Sequence, residues 1–137
     1  MRVYVDTSVT LRVLFREPDP LPEWGQWTEA YASRLWHTEA LRTLDRLRLM
    51  AAIGDKLVVQ HRCDIELIQS VFHIIPVTDR ILARAGESFP TVIGTLDAIH
   101  LAIASCEDLS IVTLDHQLYQ NARKLDIEAI LLDALKL

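Results

Sequence analysis

Short apolar runs alternate along the chain with longer segments whose apolar residues recur at helical spacing. Apolar runs with few polar interruptions are typical of strands that are buried in a sheet. The pattern predicts strands at residues 3–5, 35–36, 74–77, 111–114 and 129–132. Because helical segments separate these runs, we expect a parallel sheet whose strands are connected by helices.

Several helix boundaries follow from residues that begin or end helices. A first helix at residues 9–15 is expected to stop before Pro18 and Pro20, because proline cannot continue a helix. A long amphipathic helix at 41–50 is expected to end at Gly54, since glycine suits the position that follows a helix. Further helices are predicted at 56–71, after Thr78, from Thr95 to Ser105 and from Asp115 onward.

The helix predicted at 96–105 is apolar on nearly all sides. Its positions 98, 99, 101, 102, 103 and 104 are all Ala, Ile or Leu. A helix without a polar face is buried. The chain as a whole therefore predicts an α/β fold in which residues 1–137 form a single domain.

The composition is that of an ordinary globular domain. The chain has 137 residues, of which 50% are hydrophobic and 24% charged. Such a chain can bury a core without disulfides or a structural metal. Cys63 and Cys106 lie far apart and form no CxxC motif, which argues against a zinc site and a disulfide scaffold. No apolar stretch approaches the roughly 18 residues of a membrane span, so we expect a cytoplasmic protein.

The formal net charge of −5 would ordinarily argue against a nucleic-acid partner, because phosphate binding is driven by positive charge. That objection depends on where the acidic residues lie. In parallel sheets, ligands bind beyond the carboxyl ends of the strands. Four carboxylates follow a strand or open a helix that could face this edge: Asp6, Glu39, Asp97 and Asp115.

Each of these acids alone has a simpler explanation. An acid in the first turn of a helix interacts favourably with the helix dipole, and Asp115 suits an N-cap. Asp97 fits this explanation least, because an unpaired carboxylate beside a buried helix is costly. If all four converge, a bound cation must offset their repulsion, and an open set of oxygen ligands suits Mg²⁺ or Mn²⁺. Bound metal would also place positive charge where a phosphate could bind.

Four segments together resemble PIN-domain ribonucleases of the VapC toxin type. These are VDTSV at 5–9, SRLWHTE at 33–39, TLDAIHLA at 95–102 and IVTLD at 111–115, in the order that the family has. The third segment is the most specific, and the resemblance covers nearly the whole chain. Asp126 is a mild departure, because the family often has Gly at this turn.

The resemblance implies both a fold and an activity. The fold is an α/β/α sandwich around a parallel sheet. The activity is that of a Mg²⁺- or Mn²⁺-dependent endoribonuclease, whose site consists of Asp6, Glu39, Asp97 and Asp115. The resemblance also implies an RNA substrate, a homodimer and inhibition by a cognate antitoxin. Cleavage of a phosphodiester by water agrees with a metal site of this kind.

Three further residues are candidates for a supporting role. Ser8 and Thr113 lie two residues from Asp6 and Asp115, and resemble the hydroxyls with which the family orients an acid or metal-bound water. A local hydrogen bond to the backbone explains them equally well. His100 lies three positions after Asp97 on the same helical face and could contact a metal ligand, although a packed, hydrogen-bonded histidine is the simpler explanation.

Basic and aromatic residues give weaker indications. Arg42, Arg46 and Arg48 could contact RNA phosphates, but a solvated helix face paired with Asp45 is favoured. The aromatic residues could stack on bases but are expected to pack in the core or in a dimer interface; they are Trp24, Trp27, Tyr31 and Trp36. His37 and Glu39 resemble part of a zinc deaminase motif, but the accompanying PCxxC is absent.

Two other functions compete with the endoribonuclease. A phosphatase with a nucleophilic aspartate after its first strand would carry a second Asp two residues later, where this chain has Ser8. A catalytically inactive PIN-like module that binds RNA or a protein partner is the other alternative. The presence of all four acids argues against this alternative.

Overall fold

The computed structural model describes residues 1–15, 27 and 29–132, and this part of the chain contains five strands and six helices. In chain order they are β1 (Arg2–Val5), α1 (Thr7–Leu14), β2 (Glu29–Ser33), α2 (Leu35–Leu49), α3 (Asp55–Val71), β3 (His73–Ile75), α4 (Asp79–Ala85), α5 (Thr95–Cys106), β4 (Ser110–Thr113), α6 (His116–Lys124) and β5 (Ala129–Leu131).

The five strands form one parallel sheet in the order β3-β2-β1-β4-β5. Val5 at the end of β1 is in register with Val112 of β4. The chain runs outward from β1 through β2 to β3, and then returns to β4 on the other side of β1. The boundary between β1 and β4 is therefore the switch point at which open α/β sheets bind ligands.

Helices cover both faces of the sheet. Val3 and Val5 pack in a core with α1, α2 and α3, while Tyr4, which points to the opposite face, packs with α4, α5 and α6. This alternation follows from the two-residue period of a strand. The predicted α/β/α sandwich with a central parallel sheet is confirmed.

The prediction of a strand at Leu35 and Trp36 is wrong. The second strand is β2, which precedes this segment, and Leu35 is the first residue of α2. The side chain of Ser33 accepts a hydrogen bond from the Leu35 backbone N–H across 3.0 Å, and this contact turns the chain into the helix. The buried Trp36 faces the core from the first turn of α2 rather than from the sheet.

The role predicted for Gly54 is also wrong. Helix α2 ends at Leu49, and the left-handed residue after it is Ala51, with φ of 54°. Gly54 instead precedes α3 as its N-cap in extended conformation. The end of α2 at Leu49 and the start of α3 at Asp55 lie six residues apart, and Gly54 belongs to the start of α3.

Other boundaries agree with the sequence. Thr78 caps α4 by accepting a hydrogen bond from the Ile81 backbone N–H. Helix α5 begins at Thr95, and its residues 98–104 are all buried, as its apolar pattern predicts. Asp126 adopts a left-handed conformation with φ of 57°, which fits the turn where glycine is common.

Within residues 1–15, 27 and 29–132, no helix is long and apolar enough to cross a membrane. Cys63 and Cys106 are both free, as expected from their separation. The prolines that were predicted to end the first helix, and Trp24, lie outside the described residues.

Candidate active site

All four predicted acids line one cleft at the carboxyl edge of the sheet, beside the switch point between β1 and β4. The cleft has a volume of about 240 Å³. Its lining residues are Asp6, Thr7, Ser8, Leu11, Glu39, Thr43, Leu96, Asp97, His100 and Asp115. The chain folds in such a way that four separate segments each contribute one carboxylate to this space.

Asp6 lies at the floor of the cleft, directly after β1. Its backbone N–H donates to Val112 O, so the main chain is fixed to β4. Ser8 Oγ donates to Asp6 Oδ1 across 2.5 Å, and Thr113 Oγ1 donates to Oδ2 across 2.8 Å. Burial raises the pKa of Asp6 above its usual value, although these two hydrogen bonds oppose the shift.

The same two hydroxyls also brace the neighbouring loop. Ser8 Oγ accepts a hydrogen bond from the Leu114 N–H, and Thr113 Oγ1 accepts one from the Asp115 N–H. The loop after β4 is thereby attached to the side chain of Asp6. Each hydroxyl therefore contacts Asp6 and also accepts from a backbone N–H, so the two explanations do not exclude each other. The backbone bond is local for Thr113, whereas that of Ser8 joins residues 106 positions apart.

Glu39 lies in the second turn of α2 and not at the helix start, because α2 begins at Leu35. Its Oε1 accepts a hydrogen bond from Thr7 Oγ1 across 2.9 Å and lies 3.6 Å from His100 Nε2. Burial raises the pKa of Glu39, but His100 and Thr7 together outweigh it, and the pKa is lowered overall. Glu39 is therefore held as a carboxylate.

Asp97 occupies the first turn of α5 at the side of the cleft. The carboxylate of Asp97 accepts no hydrogen bond from any residue that the structure describes. Burial raises the pKa of Asp97, and the negative charges of Asp115 and Glu39 raise it further. Asp115 and Glu39 are thus close enough to Asp97 for their charges to disfavour its ionised form.

Asp115 has two relations to its surroundings. Its Oδ1 accepts hydrogen bonds from the backbone N–H groups of Gln117 and Leu118, so it is the N-cap of α6. Asp115 therefore caps a helix, which is the simpler explanation that the sequence offered for this acid. Its exposed carboxylate nevertheless faces the cleft and acts on Asp97.

His100 is buried between the sheet and the cleft. Its Nδ1 forms a hydrogen bond of 2.5 Å with the hydroxyl of Tyr4, and its Nε2 faces Glu39. The histidine is therefore packed and hydrogen-bonded, and it also contacts an acid of the cleft. Tyr4 lies at 0% exposure on β1, two residues before Asp6.

The PIN domain family model matches residues 3–124. The chain belongs to the PIN domain family. This match covers β1 through α6, and so contains all four acids of the cleft. The expected resemblance to PIN domains is confirmed.

Relatives of this PIN domain include VapC proteins. Ribonuclease VapC47 of Mycobacterium tuberculosis is 29% identical over 125 residues, which cover 89% of this chain and 90% of that protein. The fold is similar to that of VapBC2 from Rickettsia felis bound to a promoter DNA fragment, with a TM-score of 0.72 and 16% identity, covering 97% of this chain and all of that one. A toxin-antitoxin complex from Klebsiella pneumoniae has a TM-score of 0.70 and 14% identity over 98% and 99% of the two chains.

Two residues that contact an acid or the histidine of the PIN-domain cleft were not among the sequence candidates for the site: Thr7, which lines the cleft, and Tyr4, which is fully buried outside its lining. Thr7 directly follows the first strand-end acid, and its hydroxyl donates to Glu39. Tyr4 was interpreted as part of an apolar strand, yet its hydroxyl contacts His100. The sequence signal that points to these residues is their closeness to the predicted strand-end acid Asp6, which Thr7 follows directly and Tyr4 precedes by two positions.

The basic and aromatic residues lie mostly where the simpler explanations placed them. Asp45 pairs with both Arg42 and Arg48 on the exposed side of α2. Trp36 is buried in the core, and Trp27 packs against that same core. Tyr31 lies on β2, where its hydroxyl contacts Arg2 and Glu29.

The donor chemistry of the cleft fits a hard divalent cation. Carboxylate and hydroxyl oxygens surround this space, and burial together with the charges of Asp115 and Glu39 raises the pKa of Asp97 within it. Among the described residues, no group of three or more His, Cys, Asp or Glu side chains is placed so that it could hold a metal ion. Mg²⁺ does not require one, because it keeps several waters and binds through one or two carboxylates.

Proposed function

We propose that this PIN domain is a metal-dependent endoribonuclease that acts as the toxin of a toxin-antitoxin pair. The observation that carries the proposal is the convergence of four acids from β1, α2, α5 and the loop after β4 on one cleft. Acids that serve only as helix caps have no reason to converge, whereas carboxylates that share one space can bind a divalent cation. The family membership and the ribonuclease among the relatives support the same activity.

The metal ligands in this proposal are Asp6, Glu39, Asp97 and Asp115, with Mg²⁺ or Mn²⁺ as the ion. When bound, such an ion activates water for attack on phosphorus and neutralises charge on the phosphoryl oxygens. Its positive charge would also remove the objection that a chain with a net charge of −5 is a poor partner for nucleic acid. Four of the 19 acidic residues lie in the cleft itself, where the metal offsets their charge.

Different side chains of the cleft hold different acids in place. Ser8 and Thr113 hold both carboxylate oxygens of Asp6, so this buried acid has one fixed orientation. Thr7 holds Glu39 in a similar way. Asp97 accepts no such bond from the described residues and is free to turn toward an incoming ion or toward water.

The partners that we propose are RNA as substrate, a cognate antitoxin as inhibitor and a second copy of the chain in a homodimer. The antitoxin is supported by the solved relatives, of which one is a toxin-antitoxin complex and another is VapBC2. An enzyme that cleaves cellular RNA acts where that RNA is, so we propose a cytoplasmic location.

RNA cleavage by matched aspartate variants tests this function. Asp97→Asn keeps the volume of the side chain and removes the charge from the cleft. Asp79→Asn makes the same change in the first turn of α4, outside the cleft. We expect wild type and Asp79→Asn to cleave structured RNA with Mg²⁺ or Mn²⁺ and not with EDTA, while Asp97→Asn loses at least about a hundredfold in rate. Equal cleavage by both variants, or cleavage that survives EDTA, would remove the proposal.

A further inference from the structure

One hydrogen bond and one further close contact connect the buried interior of the sheet to an acid of the cleft. Tyr4 Oη contacts His100 Nδ1 at 2.5 Å, and His100 Nε2 lies 3.6 Å from Glu39 Oε1. The three residues lie on β1, α5 and α2. Tyr4 and His100 are 0% and 5% exposed, so bulk water does not compete for these contacts.

The chemistry of the three groups determines which atom donates and which accepts in these contacts. A tyrosine hydroxyl has an ordinary pKa of about 10, so it carries its proton near neutral pH and can donate a hydrogen bond. A neutral imidazole carries its proton on one nitrogen only, and the other nitrogen accepts a hydrogen bond. If the Tyr4 hydroxyl donates to Nδ1, the ring proton is on Nε2, which is the nitrogen that faces the Glu39 carboxylate.

We propose that Tyr4 is a positioning residue, whose hydroxyl fixes His100 with its Nε2–H directed at Glu39. Glu39 Oε1 is then held from two sides, by the Thr7 hydroxyl and by the imidazole. The other oxygen of this carboxylate is thereby given one orientation toward the cleft. This inference rests on the proposed metal site, because Glu39 is one of its ligands.

A packing role alone makes a different prediction for Tyr4. An aromatic ring that only fills the core loses little when its hydroxyl is removed, and any loss appears in stability. A positioning role predicts in addition that removal of the hydroxyl changes which ring nitrogen of neutral His100 carries the proton, and that it weakens metal binding. Hydrogen-bonding partners of metal ligands are typically worth about 10- to 100-fold in affinity.

Histidine tautomers give the first readout, and this readout needs neither metal nor RNA. Long-range ¹H–¹⁵N spectra of ¹⁵N-histidine-labelled protein at pH 8 distinguish the two neutral forms, with His100→Gln used to assign the signal. We expect the Nε2–H form in wild type and a mixture, or the Nδ1–H form, in Tyr4→Phe. The Nδ1–H form in wild type, or an unchanged spectrum in Tyr4→Phe, would overturn the proposal.

Mn²⁺ affinity gives the second readout, measured by calorimetry. We expect Kd to rise about tenfold in Tyr4→Phe and to stay at the wild-type value in Tyr31→Phe, which removes an exposed hydroxyl far from the cleft. Because Tyr4 acts through His100, adding Tyr4→Phe to His100→Ala should raise Kd no further. Equal affinity of wild type and Tyr4→Phe contradicts the positioning role, whereas a wild type that binds no Mn²⁺ contradicts the proposed function instead.

Discussion

The hydroxyl of Thr113 donates a hydrogen bond to Oδ2 of Asp6 across 2.8 Å, although the two residues are 107 positions apart. The same hydroxyl accepts a hydrogen bond from the Asp115 N–H. One side chain therefore connects the floor of the cleft to the loop that carries another of its acids. This contact explains how two neighbouring strands place their terminal acids at fixed positions.

Removal of this hydroxyl is expected to destabilise the protein. Thr113→Val keeps the shape but leaves Asp6 with one fewer donor and the Asp115 N–H without an acceptor. Hydrogen bonds to charged groups are worth about 1.5–3 kcal/mol, and we expect a loss of that size in the free energy of unfolding. Thr113→Ser, which keeps the hydroxyl, should lose only about 0.8 kcal/mol for its missing methyl group. Urea denaturation compares the two, and equal stability would contradict this role.

Asp115 is both a helix cap and a proposed ligand, and two substitutions separate these roles. Asparagine keeps the oxygen that accepts from Gln117 and Leu118, so Asp115→Asn should retain the stability of wild type. Asp115→Ala should lose about 1 kcal/mol, as other N-caps do. Both variants should lose RNA cleavage, because both lack the charge. Wild-type cleavage by Asp115→Asn would show that only the cap matters.

The raised pKa of Asp97 predicts a pH dependence of the metal-free protein. An acid whose pKa is higher in the folded than in the unfolded chain binds more protons when folded. Its charge therefore destabilises the folded state. This destabilisation is absent below the pKa of the unfolded chain, 3.8 for this group, and grows as the pH rises toward the folded pKa. We expect wild type without metal to lose stability relative to Asp97→Asn as the pH rises above about 4.

Denaturation midpoints at several pH values, after removal of metal with EDTA, measure this difference. Asp79→Asn serves as the control, because it removes an aspartate from a first helical turn outside the cleft. Its midpoints should run parallel to those of wild type across the range. Parallel curves for Asp97→Asn as well would mean that the folded protein does not disfavour the charge of Asp97.

Acids that follow a clear local signal could be placed from the sequence. Asp6 and Asp115 come directly after apolar strands, and Asp97 comes in the first turn of a helix that is apolar on nearly all sides. In each case the neighbouring residues alone determine the strand or the helix, and the parallel sheet then sends the strand ends to one edge. The site residues on these elements needed no knowledge of distant contacts.

Glu39 and Tyr4 show what the sequence could not give. Strand β2 reads EAYAS, whose polar ends and small alanines produce no apolar run, so the strand was placed too late and Glu39 too near its helix start. The contact between Tyr4 and His100 joins residues 96 positions apart. Contacts of this kind are set by how β1 and α5 pack, and no local pattern records them.

Expression in a bacterial host tests the toxin activity in cells. Wild type expressed without an antitoxin should arrest growth, because free enzyme cleaves cellular RNA. Asp6→Asn should not, since it removes a charge from the floor of the cleft, while Asp79→Asn should arrest growth like wild type. Growth curves are compared at equal protein levels, checked by immunoblot. Equal growth with wild type and Asp6→Asn would favour the inactive module that binds RNA or a partner.

The central claim is that the four acids bind a divalent cation, and melting of wild type and Asp97→Asn in EDTA and in millimolar Mn²⁺ at fixed ionic strength tests it most directly. A ligand at ten times its Kd stabilises the folded state by about 1.4 kcal/mol, which is several degrees in Tm for a domain of this size. We predict that shift for wild type and little or none for Asp97→Asn, with Asp97→Asn at least as stable as wild type in EDTA. Equal shifts in both proteins, or an Asp97→Asn protein that is much less stable even in EDTA, would contradict the account.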